Sequence, residues 1–146
     1  MCLKITSTKK RNCRKAYKIV SLSKWNKGLY SIYQNYQFVH LRAWQFESRR
    51  IYLTGVEENY KTINDGYHLC PNLKLAKKTL NNLPGGPNPR DGYAIYLCEV
   101  NAKGFVARGT FELEKHTIEL KGSNPQAESV VYNTFRFIKC VYKKTI

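Results

Sequence analysis

The sequence predicts a single α+β domain built mostly of antiparallel β-strands, with one main α-helix over about residues 72–83. The chain has 146 residues, which is the usual length of one domain. Several segments alternate apolar and polar residues with a period of two, as half-buried strands do. Only one segment has apolar residues at helical spacing. Many short strands beside one helix favour a layered α+β architecture.

The predicted strands are apolar and aromatic segments that are bounded by turn residues. They span residues 16–22, 29–33, 36–46, 51–53, 93–101, 105–113, 117–120 and 128–142. Alternation in 36–46 and 128–142 predicts that each of these two is one continuous strand. In the first, His40 and Trp44 are expected on the same face, and in the second, Cys140 is expected on the face of Arg136.

The helix prediction is based on both its start and its spacing. Asn72 is a suitable N-cap, and Leu73, Ala76, Leu80 and Leu83 recur at helical intervals. Three lysines, Lys74, Lys77 and Lys78, fall on the other side. The proline- and glycine-rich segment 84–89 cannot continue a helix.

Charge is the strongest functional signal. The net charge is +15, and residues 1–46 contain ten basic residues and no acidic one. A half-chain of one sign produces a positive field that attracts nucleic acid or another polyanion. Segment 7–15 is either a flexible arm or an exposed loop. The residues expected to contact the polyanion are Lys9, Lys10, Arg11, Arg14, Lys15, Lys18 and Lys27.

Aromatic residues are interleaved with these basic residues. Lys24, Trp25 and Arg42 combine cationic groups with a flat ring, which is the chemistry that single-stranded nucleic acid or a nucleotide requires. The competing interpretation places the aromatic rings in the core and the lysines on a solvated rim.

The block from Gly66 to Ala76 is the most distinctive local pattern. A helix N-terminus offers free N–H groups to an anion, so Tyr67, His68 and Asn72 are candidates to line a small ligand pocket. Alternatively, this block is an ordinary strand-to-helix turn in which His68 has a structural role.

Several classes of protein are not indicated. Five widely spaced cysteines without a Cys-x-x-Cys pair do not suggest a disulfide framework or a metal site, and they fit a reducing cytoplasm. No apolar segment is long enough to span a membrane, and no signal peptide is expected. Motifs for a P-loop, a serine hydrolase or a zinc protease are missing from the sequence. A non-enzymatic protein is therefore favoured, without a cofactor.

Two elements of the chain resemble ADP-ribosyltransferase-like folds. Gly66-Tyr67-His68-Leu69-Cys70 followed by Ala76 is similar to their Gly-x-Tyr-Phe…Ala element, and the segment 128–133 is similar to their catalytic-glutamate strand. The resemblance implies NAD as a cofactor, Glu128 as the catalytic residue and Tyr67 as a stacking residue beside His68. The family's His-Gly element has no counterpart, because His40 is followed by Leu41.

More of the chain resembles small single-domain proteins of bacteriophages and gut-type bacteria. The similar residues are Met1-Cys2-Leu3, Tyr30…Tyr33-Gln34, Gly66-Tyr67-His68 and Cys98-Glu99-Val100. This resemblance implies a phage context, in which small basic proteins often bind host machinery, including defence systems.

We therefore expect a basic binding protein of the host cytoplasm. Its partner would be nucleic acid, a phosphorylated nucleotide ligand or a nucleic-acid-bound host complex. One alternative is an ADP-ribosyltransferase-like enzyme that uses NAD, and another is an inhibitor that docks on an acidic host protein. The sequence does not indicate an oligomeric state.

Overall fold

The computed structural model describes residues 3–23, 28–32, 37–47, 54–57, 60–63, 66–82, 92–112 and 126–145. These residues form twelve strands, one α-helix and one short 3-10 helix. In chain order the elements are β1 (Leu3–Ser7), β2 (Lys15–Leu22), β3 (Leu29–Ser31), β4 (Gln37–Phe38), β5 (Gln45–Phe46), β6 (Thr54–Glu57), β7 (Tyr60–Ile63), β8 (Tyr67–Leu69), α1 (Leu73–Asn81), β9 (Gly92–Glu99), the 3-10 helix Ala102–Gly104, β10 (Phe105–Glu112), β11 (Gln126–Tyr132) and β12 (Thr134–Thr145).

The strands form two six-stranded sheets in which every pair of described neighbours is antiparallel. The first sheet has the order β6-β7-β1-β10-β11-β8, and the second has the order β4-β3-β2-β9-β12-β5. The prediction of a mostly antiparallel α+β fold with one main helix is confirmed for the part of the chain that the structure describes.

The main core lies between the two sheets. It combines residues from both of them: Leu69, Phe105, Val130 and Tyr132 from the first sheet, with Ala16, Val20, Leu29, Phe38, Ala94, Cys98, Phe135 and Phe137 from the second. Edge-on aromatic contacts order this core; the ring centroids of Phe135 and Phe137 lie 4.8 Å apart at an interplanar angle of 81°. Burial of this apolar surface holds the two sheets against each other.

The two sheets meet at one isolated bridge between β2 and the residue that follows β8. Tyr17 N donates to Cys70 O at 2.9 Å, and Cys70 N donates to Tyr17 O at 2.7 Å. The amine of Lys18, the residue after Tyr17, donates at 2.8 Å to the carbonyl oxygen of His68, two residues before Cys70. The bridge and this side-chain bond together form the β2–β8 junction.

Helix α1 begins and packs as its sequence predicts. The Asn72 side chain accepts a hydrogen bond from Leu75 N at 2.9 Å, so Asn72 is the N-cap. Ala76 and Leu80 are buried against Ile19 and Ile95 on the face of the second sheet that is turned away from the main core. The helix ends at Asn81, two residues before the predicted end.

The prediction of one strand over 36–46 is wrong. Gln37–Phe38 and Gln45–Phe46 are separate two-residue strands, joined by a turn in which Ala43 N donates to His40 O at 2.9 Å. His40 has a φ of 52°, which no strand residue adopts. The buried amide of Gln45 closes the turn by donating to Val39 O at 2.9 Å.

The segment 128–142 is not one strand either. Asn133 separates β11, in the first sheet, from β12, in the second. In β12 the pairing shifts between Phe137 and Lys139, so Ile138 is an extra residue. The shift reverses the alternation, and Cys140 packs against the main core beside Phe137 rather than on the face of Arg136.

The remaining strand predictions have clear outcomes where the structure describes them. The predictions over 16–22, 93–101 and 105–113 correspond to β2, β9 and β10, within one or two residues at each end. Residues 51–53 and 117–120 lie outside the described residues. No described helix has the length and apolar character needed to cross a membrane.

Replacing Gly109 with Ala should destabilise the first sheet. An added Cβ would lie 2.1 Å from Lys4 O on the neighbouring strand β1, and this backbone atom cannot move without breaking the pairing. We expect the free energy of unfolding in urea to fall by about 2 kcal/mol or more. At Gly104, an added Cβ would first meet the end of the Asn133 side chain, at 2.7 Å. Gly104→Ala is the control, and an equal loss in both variants would contradict the prediction.

Candidate functional site

Five of the thirteen described lysines lie on helix α1 and on the adjoining face of β12. We call this region the α1–β12 basic surface. It comprises the exposed side chains of Lys74, Lys77, Lys78, Lys139 and Lys144, together with the half-buried rings of Tyr93 and Tyr142. The contact that joins helix and strand is Lys77, whose amine lies 5.0 Å from the centroid of the Tyr142 ring.

Strand register places the β12 lysines on the same side of the sheet as α1. Lys144 is paired with Tyr93 and Lys139 with Leu97, both on β9. Residues directly opposite each other on antiparallel strands project from the same face. Tyr93 packs against the apolar cluster under α1, so Lys144 projects on the helix side, and Leu97 lies on that face too because it follows Tyr93 at an even spacing.

Acidic residues do not neutralise this surface within the elements that form it. Across α1, β2, β9 and β12 the one acidic residue is Glu99, and it makes an ion pair with Arg136. Arg136 also lies over the ring of Trp44, 5.3 Å from its centroid. No carboxylate of these four elements is therefore available to the five lysines, whose positive charges together attract anions.

The N-terminal residues that were predicted to contact a polyanion differ in exposure and in hydrogen bonding. Lys9, Lys10, Arg14 and Lys15 are exposed. Arg11 is half-buried, and its guanidinium donates to Tyr132 Oη at 3.1 Å, to Lys15 O at 2.8 Å and to Pro71 O at 2.9 Å. Arg11 thus fastens the segment before β2 to the residue just before the N-cap of α1, which brings the N-terminal cations close to the helix.

Of four other residues predicted to contact a ligand or polyanion, the structure describes one. Lys24, Trp25 and Lys27 lie outside the described residues, so the structure says nothing of them. Arg42 is exposed on the turn that joins β4 and β5, which are at opposite ends of the strand order of the second sheet.

Lys18 lies in the interior instead of on the surface. Its side chain is 7% exposed, and it projects from β2 on the same face as the core residues Ala16 and Val20. The amine lies 5.8 Å from the centroid of the Phe38 ring, in addition to its bond to His68 O. Burial lowers the pKa of the Lys18 ammonium from 10.5 to about 8.

A small cleft lies at the β2–β8 junction, with a cavity of about 20 Å³, which is room for about one water molecule. It is lined by Lys18, Ile19, Ile32, His68, Leu69, Cys70, Thr79, Glu128 and Ser129.

Burial raises the pKa of the Cys70 thiol to about 11 and that of Cys98 to about 12, although the positive charge of Lys18 opposes both shifts. Both thiols are therefore neutral near pH 7 and are poor nucleophiles.

The other residues that were predicted to line a ligand pocket or to act in catalysis lie in three places. His68 and Glu128 both line the cleft, and Glu128 also pairs with Arg108 at 3.5 Å. The Tyr67 ring instead packs against Phe135, with centroids 4.8 Å apart. The Asn72 side chain caps α1. Among the described residues, no group of three His, Cys, Asp or Glu side chains is placed to hold a metal ion.

Sequence reasoning missed the helix and β12 as a basic surface and missed the burial of Lys18. The sequence does contain an indication of the basic surface, because α1 and β12 both contain lysines and no acidic residue. No signal existed for the second, because Lys18 is one of ten basic residues in an acid-free segment and nothing local distinguishes it.

Arg11→Gln should lower the stability of the protein, because it leaves Tyr132 Oη and two carbonyl oxygens without their charged donor. Hydrogen bonds from charged donors are each worth roughly 1.5–3 kcal/mol. We expect urea denaturation to show a loss of about 2 kcal/mol. The exposed Arg14→Gln provides the control, and a similar loss there would argue against the anchoring role.

The stability of the native protein relative to Lys18→Met should rise with pH. The folded pKa of Lys18 is about 8, below its ordinary value of 10.5, so between these values the unfolded state binds more protons and rising pH favours folding. From pH 7 to pH 9 the native protein should gain about 1 kcal/mol over the variant. Cys70 and Cys98 are present in both proteins, so the effect of their titration on the free energy of unfolding largely cancels in the difference between the two. A pH-independent difference in urea denaturation would refute the assignment.

The basic surface lies on α1 and β12, and the cleft lies between β2 of the second sheet and β8 of the first. The resemblances to bacteriophage proteins and to ADP-ribosyltransferase-like folds stay predictions. No protein-family model, curated protein or solved structure matches this chain.

Proposed function

We propose that this protein binds a polyanion through the α1–β12 basic surface, and that the polyanion is nucleic acid. The observation that carries this proposal is the 5.0 Å contact between the Lys77 amine and the Tyr142 ring, which unites the helix lysines with those of β12. Five exposed cations then act on one region of the surface. A nucleic acid backbone is the common cellular partner with a matching series of charges.

The spacing of the cations supports an extended partner. Lys74 and Lys78 are one helical turn apart, and Lys139 and Lys144 lie along a strand beside that helix. A strand advances about 3.3 Å per residue, so the two strand lysines are roughly 15 Å apart. Such a distance suits several consecutive phosphates better than one phosphate group.

The N-terminal cations extend the same region. Arg11 donates to Pro71 O, and therefore Lys9, Lys10 and Arg14 lie in a segment that is fastened beside the start of α1. A free amine or guanidinium on that segment adds to the field at the helix N-terminus, which already favours anions. The segment from Lys9 to Arg14 thus contributes to binding as a neighbour of α1.

The proposal includes the setting that the sequence suggests. The protein would act in the cytoplasm of a bacterial host, as a phage-type protein that binds nucleic acid or a nucleic-acid-bound host complex such as a defence system. The four described cysteines are free thiols, which is consistent with a reducing compartment. A phosphorylated nucleotide and an acidic host protein are the other partners that a surface of this charge would attract.

Neutralising α1–β12 lysines should weaken nucleic acid binding and flatten its salt dependence. The test variant is Lys74→Gln with Lys144→Gln, measured by fluorescence anisotropy with a labelled single-stranded oligonucleotide. Each lost phosphate contact lowers the slope of log affinity against log salt by about 0.7, so a decrease of about 1.4 is expected, with at least a roughly tenfold loss of affinity at about 0.1 M salt.

The matched control carries the same change in net charge. It is Lys103→Gln with Lys143→Gln; Lys143 is next to Lys144 but is paired with Ala94, so it projects on the opposite face of β12. Equal effects in the two double variants, or an affinity that does not depend on salt, would refute the proposed surface. Capture of a host protein that persists after nuclease treatment would favour the acidic-protein alternative.

A further inference from the structure

Exposed large apolar side chains are grouped on β5, on the turn that precedes it and on its neighbour β12. Among the residues that the structure describes there are four of them: Val39, Leu41, Phe46 and Ile138. Phe46 is 71% exposed and Ile138 is 49% exposed. Single residues of this kind are ordinary on a protein surface, but a group of them is a common sign of a binding site.

Strand pairing places Phe46 on the same side of the second sheet as α1 and its lysines. Phe46 is paired with Thr134, which precedes the core residue Phe135 and therefore projects away from the main core. Arg136 projects on that side too, because it is the other neighbour of Phe135 along β12. The α1–β12 basic surface begins three residues further along, at Lys139, which is a distance of about 10 Å.

The ring of Phe46 is open to a ligand. None of the ring pairs formed between described residues includes Phe46. Trp44, on the other side of the buried Gln45, is half-buried, and the guanidinium of Arg136 lies 5.3 Å from the centroid of its ring. Arg136 is itself paired with Glu99, so the indole is held in place. An exposed ring thus lies beside a fixed one, at the end of a row of cations.

We propose that Phe46, beside Trp44 and Ile138, stacks the bases of a nucleic acid strand, and that the partner of the α1–β12 basic surface is therefore single-stranded. The inference rests on the proposed nucleic acid binding and adds which class of nucleic acid is bound. Exposed rings next to cations hold a single strand because the cations bind its phosphates while a ring accepts a base. In a duplex the bases are paired and stacked inside, where Phe46 cannot reach their flat faces.

The charges near Phe46 favour a nucleic acid strand over a second copy of this protein. Arg42 is exposed on the turn before β5, and Lys139 is exposed on β12. Of the nearby acidic residues that the structure describes, Glu99 is paired with Arg136 and Glu47 is half-buried. Two copies that met through this region would bring like charges together, on chains of net charge +15. A strand of phosphates is attracted by the same cations.

Three ligands test the inference with the native protein alone. They are a labelled oligothymidylate of about 12 nucleotides, an abasic strand with the same number of phosphates, and a duplex of the same length. Fluorescence anisotropy at about 0.1 M salt gives each affinity. We expect the oligothymidylate to bind at least about fivefold tighter than the abasic strand, which is the effect of one stacked base. It should also bind tighter than the duplex, although the higher charge density of a duplex favours purely electrostatic binding.

Phe46→Leu and Phe46→Tyr are a matched pair of variants. Leucine keeps an apolar side chain without a ring, so Phe46→Leu should bind the oligothymidylate at least about fivefold more weakly, whereas Phe46→Tyr should retain most of the affinity. Phe46 is exposed, so neither change removes core packing. The slope of log affinity against log salt should be the same in both, because stacking releases no counterions. Lys74→Gln with Lys144→Gln should instead lower that slope.

The outcomes separate this inference from the proposal on which it rests. Salt-dependent binding that is as tight to the abasic strand or to the duplex as to the oligothymidylate would overturn base stacking and leave the basic surface in place. An absence of salt-dependent binding to all three ligands would overturn both proposals. If Phe46→Leu abolished self-association or the capture of a protein but did not change oligothymidylate affinity, the apolar residues would belong to a protein interface and the inference would be wrong.

Discussion

The contact between β2 and β8 is the constraint on which the rest of this structure depends. Two backbone hydrogen bonds between Tyr17 and Cys70 join the sheets at their only described bridge. The chain then enters α1 directly, so the position of the helix over β2 and β9 follows from this bridge. A change in that contact would move the main core, the helix and the cleft together.

The same junction explains why cations from one acid-free segment have different roles. Arg11 and Lys18 are both drawn inward, where Arg11 donates to the carbonyls of Lys15 and Pro71 and Lys18 donates to that of His68. Lys9, Lys10 and Arg14 stay at the surface. Net charge therefore describes the long-range field of the protein, but it does not identify which side chains are available for contact.

Local patterns predicted the elements whose structure is determined locally. The Asn72 cap, the apolar spacing of α1 and the alternation in β2, β9 and β10 all act within a few residues, and each was found within about two residues of the predicted bounds. The candidate site was predicted less well. His68 and Glu128 do lie in one cleft, whereas Tyr67 and Asn72 have structural roles.

The failures have a common physical origin in tertiary contacts. Alternating residues over 36–46 are consistent with a strand, but the Gln45 amide binds turn carbonyls and His40 adopts a positive φ. The change of sheet at Asn133 depends on partners distant in sequence, since Asn133 N donates to Gly104 O and its carbonyl accepts from Glu47 N. Lys18 is buried for the same reason, because its acceptor lies fifty residues away along the chain.

The single residue between β11 and β12 has a mechanical consequence. Asn133 is the one residue that connects β11 to β12, which belong to different sheets, so this connection is very short. The backbone N–H and C=O of Asn133 are both hydrogen-bonded. The two sheets cannot slide or separate without breaking those hydrogen bonds and exposing the aromatic side chains of the main core. A partner that binds the described faces of the two sheets therefore meets a fixed arrangement of strands.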